Sequence, residues 1–280
     1  MDSAARLGAC KRRWDLQGGS RLGGGFRSDV FACSAAGGDQ VVVKLTATPE
    51  EARLEAAALT LWAHTGAAVR LIDADITHGA LLLERIWPGT PLPGSGDPVS
   101  AGIAARLLAR VHLAAHGQLP FPALEDIYLR LESRARDDAA FEQRTRGDPA
   151  RGAAGLQRLE LARAAAMDLC ATTGRPVLLH GDFVDKNLLR SGAGYVAIDP
   201  MPRIGDPCAD AGLFAACHPP ATTILQRAAA VAGQMSLNRQ RALRWAAVWA
   251  VLQTCQAWRD DQSDLEACLS SDQFEHLLAR

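Results

Sequence analysis

The sequence predicts an α+β protein of two lobes, a small β-rich one at residues 1–87 and a larger, mainly helical one at 88–280. Three observations predict it. Strand signals crowd into the first hundred residues. The stretch PGTPLPGSGDPVS at 88–100 then breaks the pattern with Pro, Gly and Ser. Beyond it, apolar residues recur at helical spacing, interrupted once by strand-like sequence at 178–200. With 280 residues and 48% hydrophobic content, the chain can bury a real core and lies near the upper limit of what one core holds.

The elements follow in order. A glycine cluster in RLGGGFRSD precedes the short apolar run Val30–Cys33. GGD at 37–39 has turn chemistry and QVVVKL at 40–45 is β-branched, so the two runs predict a hairpin. Thr48-Pro49-Glu50-Glu51 opens a helix with a hydroxyl cap, a proline in the first turn and acids at the positive end. Leu54, Ala57, Ala58, Leu61 and Trp62 continue it at helical spacing. Two strands are expected near 68–73 and 80–85, with the lobe junction at 86–98. Helical faces follow around Ile103–Val111, at 152–173 and at 240–258. Between the last two, LLR, the turn SGAG and YVAID form an embedded hairpin.

Composition narrows the function. Thirty basic and 31 acidic residues leave a net charge of -1, so neither nucleic acid nor an anionic membrane is the expected partner. The apolar runs LLLERI and AAVWAVL are core-sized, and the N-terminal MDSAARLGACKRRWDL lacks the apolar stretch of a secretory signal. Seven scattered cysteines without a CxxC pair predict reduced core thiols in a cytoplasmic protein.

Polar residues concentrate in LLHGDFVDKNLLR at 178–190, between two leucine pairs. Buried polar groups are costly unless hydrogen bonded or used in chemistry. Asp182 is a candidate proton acceptor for an incoming hydroxyl, and the Asn187 amide oxygen suits a hard cation such as Mg2+. A plain turn would explain one such residue, but poorly explains five. Asp199 ends YVAID, and the tight hairpin brings it to the same end as Asn187. Lys44 closes the strand VVVK. It is either an ordinary strand lysine reaching solvent or a charge set against phosphate oxygens. Glu55, eleven residues on, lies near the apolar helix face where it could hold that ammonium. In GDPCADAG, Asp206 has the place of a helix cap, and Asp210, one turn on, could hydrogen bond the backbone of the Asp182 loop.

Taken in order, Lys44, Glu55, HGD at 180–182, Asn187, IDP at 198–200 and GDPxxD at 205–210 resemble the aminoglycoside phosphotransferase family, of protein-kinase-like fold. RWDLQGGSRLGGG, LLLERIWPGTPL, AIDPxPxxGDP and RWAAVWAVLQ are most similar to its streptomycin 6-phosphotransferase and hydroxyurea phosphotransferase group. The resemblance implies ATP and Mg2+ as cofactors. It implies Asp182 as the catalytic base, Asn187 and Asp199 as magnesium ligands, and Lys44, steadied by Glu55, on the α- and β-phosphates. Glu84 and Ile86 are expected beside the adenine, and backbone N–H groups of Gly24, Gly25 and Phe26 with the Ser28 hydroxyl over phosphate. The stretch GGGFRSD departs from the GxGxxG of protein kinases. The family's HGDLHxxN carries a histidine in the stretch where this chain has Asp185, an extra carboxylate beside the transfer site.

The implied activity is transfer of the γ-phosphate of ATP to a hydroxyl of a small, cationic antibiotic. The acceptor would be a streptomycin-type aminoglycoside or a tuberactinomycin peptide such as capreomycin or viomycin. Acids complementing its charge are expected in the helical lobe, with Asp185, Asp206, Asp260, Asp261 and Asp264 as candidates. The alternatives are a metabolic kinase acting on hydroxyurea, a sugar or a choline-like alcohol, and a catalytically dead binding module. Peptide substrates are disfavoured, because only six residues separate Asp199 from Asp206 and leave no activation segment. A monomer or weak dimer is expected.

Overall fold

Eleven residues ahead of the first strand already form a helix, α1 (Ser3–Arg13), which the hydrophobic pattern did not announce. The Asp2 carboxylate caps it by accepting from the Ala5 N–H at 2.7 Å. Arg6 then ties it to the sheet, donating to the carbonyls of His78, Thr46 and Gly79 at 2.8–3.0 Å. In this computed structural model, residues 2–22, 28–94, 98–114, 119–145, 149–192, 194–217, 224–257 and 272–279 are described.

The strands β1 (Leu16–Leu22), β2 (Ser28–Ala35), β3 (Gln40–Thr46), β4 (Leu71–Asp75) and β5 (Ala80–Glu84) form an antiparallel sheet in the order β1-β2-β3-β5-β4. The expected hairpin is β2–β3, with Ser34 opposite Gln40. The strand expected near 68–73 begins instead at Leu71, because Ala68 is taken by an isolated parallel bridge to Ala197. Alternation along β3 puts Val41, Val43 and Leu45 into a core with Cys10, Leu16, Cys33, Ala80 and Leu82, and so sends Lys44 to the opposite face. Helix α2 (Pro49–Trp62) starts as expected, with the Thr48 hydroxyl accepting from the Glu51 N–H at 3.2 Å and Pro49 in the first turn. Its buried stripe is Ala52, Glu55, Ala58, Leu59 and Trp62.

Two compact units emerge, Met1–Pro91 with Asn187–Pro202, and Leu92–Lys186 with Arg203–Arg280. The division differs from 1–87 and 88–280. Strand β6 (Pro88–Pro91), inside the stretch expected to be a linker, pairs with β9 (Leu188–Ser191) of the embedded hairpin β9–β10 (Gly194–Ala197). Ladder hydrogen bonds therefore assign residues 187–202 to the first unit, although the sequence groups them with the helices.

The second unit comprises α3 (Pro98–Val111), α4 (Leu124–Thr145), α5 (Pro149–Ala171), α6 (Pro207–Ala216), α7 (Ile224–Gln234), α8 (Arg239–Ala257) and α9 (Asp272–Leu278). A small sheet accompanies them, β7 (Leu113–Ala114), β8 (Val177–Leu179) and β11 (Arg203–Gly205) in the order β11-β8-β7. Leu159, Leu169, Trp245 and Val248 are among its fully buried core residues. Helices α6 and α8 approach closely enough that a Cβ on Gly212 would lie 2.7 Å from the Ala246 nitrogen, so this position requires glycine. Among the described residues, no helix is long and apolar enough to cross a membrane. The six described cysteines are free; Cys268 lies outside the described residues. Burial pushes the Cys170 and Cys255 thiols up to about 12, which suits packing rather than reactivity.

Candidate active site

In the first unit, strand alternation and helix periodicity bring Lys44 and Glu55 together. The Lys44 Nζ donates to Glu55 Oε2 at 2.5 Å and also to the Asp199 carboxylate. Lys44 and Glu55 are both buried, so this ammonium does not reach out to solvent. Burial alone would pull the ammonium's pKa down, but the two carboxylates outweigh it and the net shift is upward. Burial pushes the Glu55 carboxyl up to about 7 against the attraction of Lys44, and the Asp199 charge adds to the push.

Asp199 reaches this position through the β9–β10 hairpin. Ala197 lies opposite Leu188, and the Ile198 N–H donates to the Asn187 carbonyl at 2.8 Å. Asn187 and Asp199 thus flank the same end of one hairpin. Asp199 adopts the left-handed region, φ 58°, a conformation uncommon for a non-glycine residue and often retained where function needs it. One ammonium faces two carboxylates here, so the cluster carries an excess negative charge. Its oxygen donors, one carboxylate and one amide, suit a hard cation. Among the described residues, no three His, Cys, Asp or Glu groups gather to hold a metal by themselves.

In the second unit, Asp182 lies in the loop after β8. Gly181 takes φ 77°, which lets the chain turn sharply there. The Asp210 carboxylate, buried on α6, accepts from the His180 N–H at 2.8 Å and the Gly181 N–H at 3.0 Å. His112 Nε2 lies 3.0 Å from the same carboxylate. Burial alone would raise the Asp210 pKa, but its hydrogen bond with His112, then the charges of His112 and His180, hold it below the usual carboxylate range. The role expected of Asp210, bracing the loop, is what the structure contains; His112 was not anticipated.

Two acids expected to face a cationic acceptor are engaged elsewhere. Asp185 opens a short 3-10 turn (Asp185–Asn187), is buried, and forms an ion pair with Arg227 of α7. Asp206 caps α6 by accepting from the Cys208 N–H at 2.9 Å, and it also accepts from Arg241 Nε and Nη2 and from Trp245 Nε1 at 2.6–2.9 Å. Its acceptor capacity is used inside the protein, so the capping role stands and the substrate role does not. Asp260, Asp261 and Asp264, with Gly24, Gly25 and Phe26, lie outside the described residues.

Ser28 begins β2 opposite Thr46. Glu84 Oε1 accepts from the Arg70 N–H at 2.8 Å, so one of its oxygens closes the β5 end of the sheet. Ile86 follows two residues later, just before the cis Trp87–Pro88 bond. The sequence signal for Arg227 is its place as the single charge in the largely apolar decapeptide ILQRAAAVAG.

The chain is 29% identical to the streptomycin 6-kinase of Streptomyces griseus over 212 residues, 72% of this chain and 63% of that protein. It therefore spans less than two thirds of that relative's length. It is also 29% identical to the hydroxyurea phosphotransferase of Kitasatospora aureofaciens over 261 residues, 89% of this chain and 71% of the relative. Among solved structures, the choline kinase LicA from Streptococcus pneumoniae is similar in fold, with a TM-score of 0.64 at 14% identity, covering 98% of this chain and 99% of the other. The ADP-bound aminoglycoside phosphotransferase APH(2'')-Ib gives 0.58 at 14% identity, over 96% and 97%. The fold is thus the protein-kinase-like one of aminoglycoside phosphotransferases and choline kinases. A family model for aminoglycoside/hydroxyurea antibiotic resistance kinases matches residues 13–262, and the chain belongs to that family.

Proposed function

We propose that this protein is a magnesium- and ATP-dependent kinase that transfers the γ-phosphoryl group to a hydroxyl of a small, cationic, streptomycin-type antibiotic. The observation that carries this reading is Lys44, buried and shared between Glu55 and Asp199, with Asn187 at the same hairpin end. Phosphoryl transfer is chiefly positioning and charge neutralisation, and these groups supply both.

In this reading the Lys44 ammonium, held by Glu55, binds the α- and β-phosphates. Asn187 and Asp199 would hold magnesium, which would supply positive charge against that developing on the nucleotide's phosphates. Asp182 orients the acceptor hydroxyl and takes its proton as that oxygen bonds to the γ-phosphorus and the bond to the β-phosphate oxygen breaks. Asp210 holds the backbone on which Asp182 is mounted. The Glu84–Ile86 segment and Ser28 serve the nucleotide.

A second reading keeps this machinery with hydroxyurea or a small metabolic alcohol as acceptor. It is favoured by the hydroxyurea phosphotransferase relative, which matches over the longer stretch. The deciding experiment incubates the chain with Mg-ATP and a panel of streptomycin, other aminoglycosides, tuberactinomycin peptides, hydroxyurea, sugars and choline. Mass spectrometry then looks for the gain of one phosphoryl group. Streptomycin is the expected acceptor. Turnover of a metabolite with every antibiotic inert would overturn the antibiotic reading, and ATP-dependent transfer to nothing in the panel would overturn both.

A further inference from the structure

The loop bearing Asp182 is held by a charge pair that phosphoryl transfer itself does not call for. Asp185 and Arg227 are both buried and ion-paired. The Arg227 guanidinium lies 4.0 Å from the centre of the Phe214 ring, and its Nη1 donates to the Cys217 carbonyl at 3.4 Å. Phe214 packs on Phe183 with ring centroids 5.9 Å apart, and Phe183 meets the His180 ring edge-on at 5.5 Å. His180, Phe183, Phe214, Arg227 and Asp185 thus form a circuit that leaves the loop and returns to it, with Asp182 inside the span.

Such a pair contributes little net stability, because desolvating two charges offsets most of their attraction, and an apolar pair of equal volume often does as well. What the guanidinium adds is direction: Nη2 donates to Asp185 while Nη1 reaches the Cys217 carbonyl, and the Phe214 ring beneath fixes its plane.

We propose that Arg227 is a positioning residue, acting through Asp185 to hold residues 180–186 so that the Asp182 carboxylate is presented to the acceptor hydroxyl. The activity part of this inference rests on the kinase reading above; the ordering of the loop does not. Asp185 then serves the loop's geometry rather than contact with a cationic acceptor.

The test compares R227M, D185N/R227M and R227K. R227M strands a buried carboxylate and should fold poorly. The double variant removes both charges, so its melting temperature should return close to wild type. Its kcat should nevertheless stay on the order of 10²-fold low with KM for ATP little changed, as misplacement of a catalytic group predicts. Amide exchange at 181–186 should speed by about tenfold, with α5 and α8 unaffected. R227K, which keeps charge but loses the fork, should show the same split in smaller measure. A double variant that regains melting temperature, kcat and wild-type loop exchange together would reduce the pair to packing and overturn the proposal. If the double variant fails to fold, R227K decides: unchanged kcat and unchanged loop exchange overturn it. Should the wild-type chain phosphorylate nothing, the kinase reading fails, while loop exchange still decides whether Arg227 orders the loop.

Discussion

Two buried charge clusters, one in each unit, differ in how they are closed. Around Lys44, one cation meets two carboxylates, and side-chain exposure rises from 4% at Glu55 and 7% at Lys44 to 38% at Asp199. Around Arg227, the guanidinium meets the Asp185 carboxylate, at 0% and 5% exposure. The first cluster carries uncancelled charge and opens to water at one end, so a cation or a phosphate has something to bind. In the second both partners are buried, which suits holding a shape. A buried ion pair is not by itself a sign of an active site.

Predictions test that contrast from its largest consequence down. Asp182→Asn should lower kcat by about 10²–10⁴-fold, the range for losing a general base, while isothermal titration finds Mg-ADP binding nearly intact. Turnover that survives the substitution would remove Asp182 from the chemistry and leave the first cluster without a partner reaction.

Removing the cation should cost the two clusters unequally. Arg227→Met should cost about 3–5 kcal/mol in chemical denaturation, because Asp185 stays buried and unneutralised. Lys44→Met should cost less, about 1–3 kcal/mol, since Glu55 can keep a proton and Asp199 can turn to water, yet nucleotide affinity should collapse. Equal stability losses would mean that the two clusters are closed in the same way.

Stability against pH gives a finer measure. The Glu55 carboxyl titrates at about 7 in the folded chain, above its ordinary value of 4.5. Between those values the folded chain holds a proton that the unfolded chain has released, so stability should fall as pH rises through the window. Glu55→Gln should flatten that part of the profile; an unchanged slope would show that another group produces it. Asp210 has the opposite sign: its depressed pKa keeps its contribution present above the unfolded value, to be lost only in stronger acid.

The smallest effect concerns the helix that delivers Glu55. Thr48→Ala removes the hydroxyl that accepts the Glu51 N–H, and should cost about 1 kcal/mol by thermal denaturation with kcat little altered. A large loss of turnover would mean that the cap, and not only the stripe of α2, sets the place of Glu55.

Much of this centre was legible in short-range sequence. VVVK alternation sends Lys44 to the face opposite Val41 and Val43, helix spacing puts Glu55 near Ala58, and the SGAG turn joins Asn187 to Asp199. Thr48 and Asp206 were legible as caps from the proline that follows each. Each of these is a consequence of fixed repeat geometry or of local hydrogen bonding, which a few neighbouring residues specify.

Tertiary structure alone decided who neutralises whom. Lys44 meets Asp199 across 155 positions, His112 meets Asp210 across 98, and Arg227 meets Asp185 across 42. Asp185, standing in the loop, had the look of a substrate contact until α7 supplied its cation, and β6 drew the 187–202 hairpin into the first unit. The physical reason is that a period of two or 3.6 residues determines which way a side chain faces, while the cost of burying a charge is met by whichever opposite charge the folded chain brings within reach.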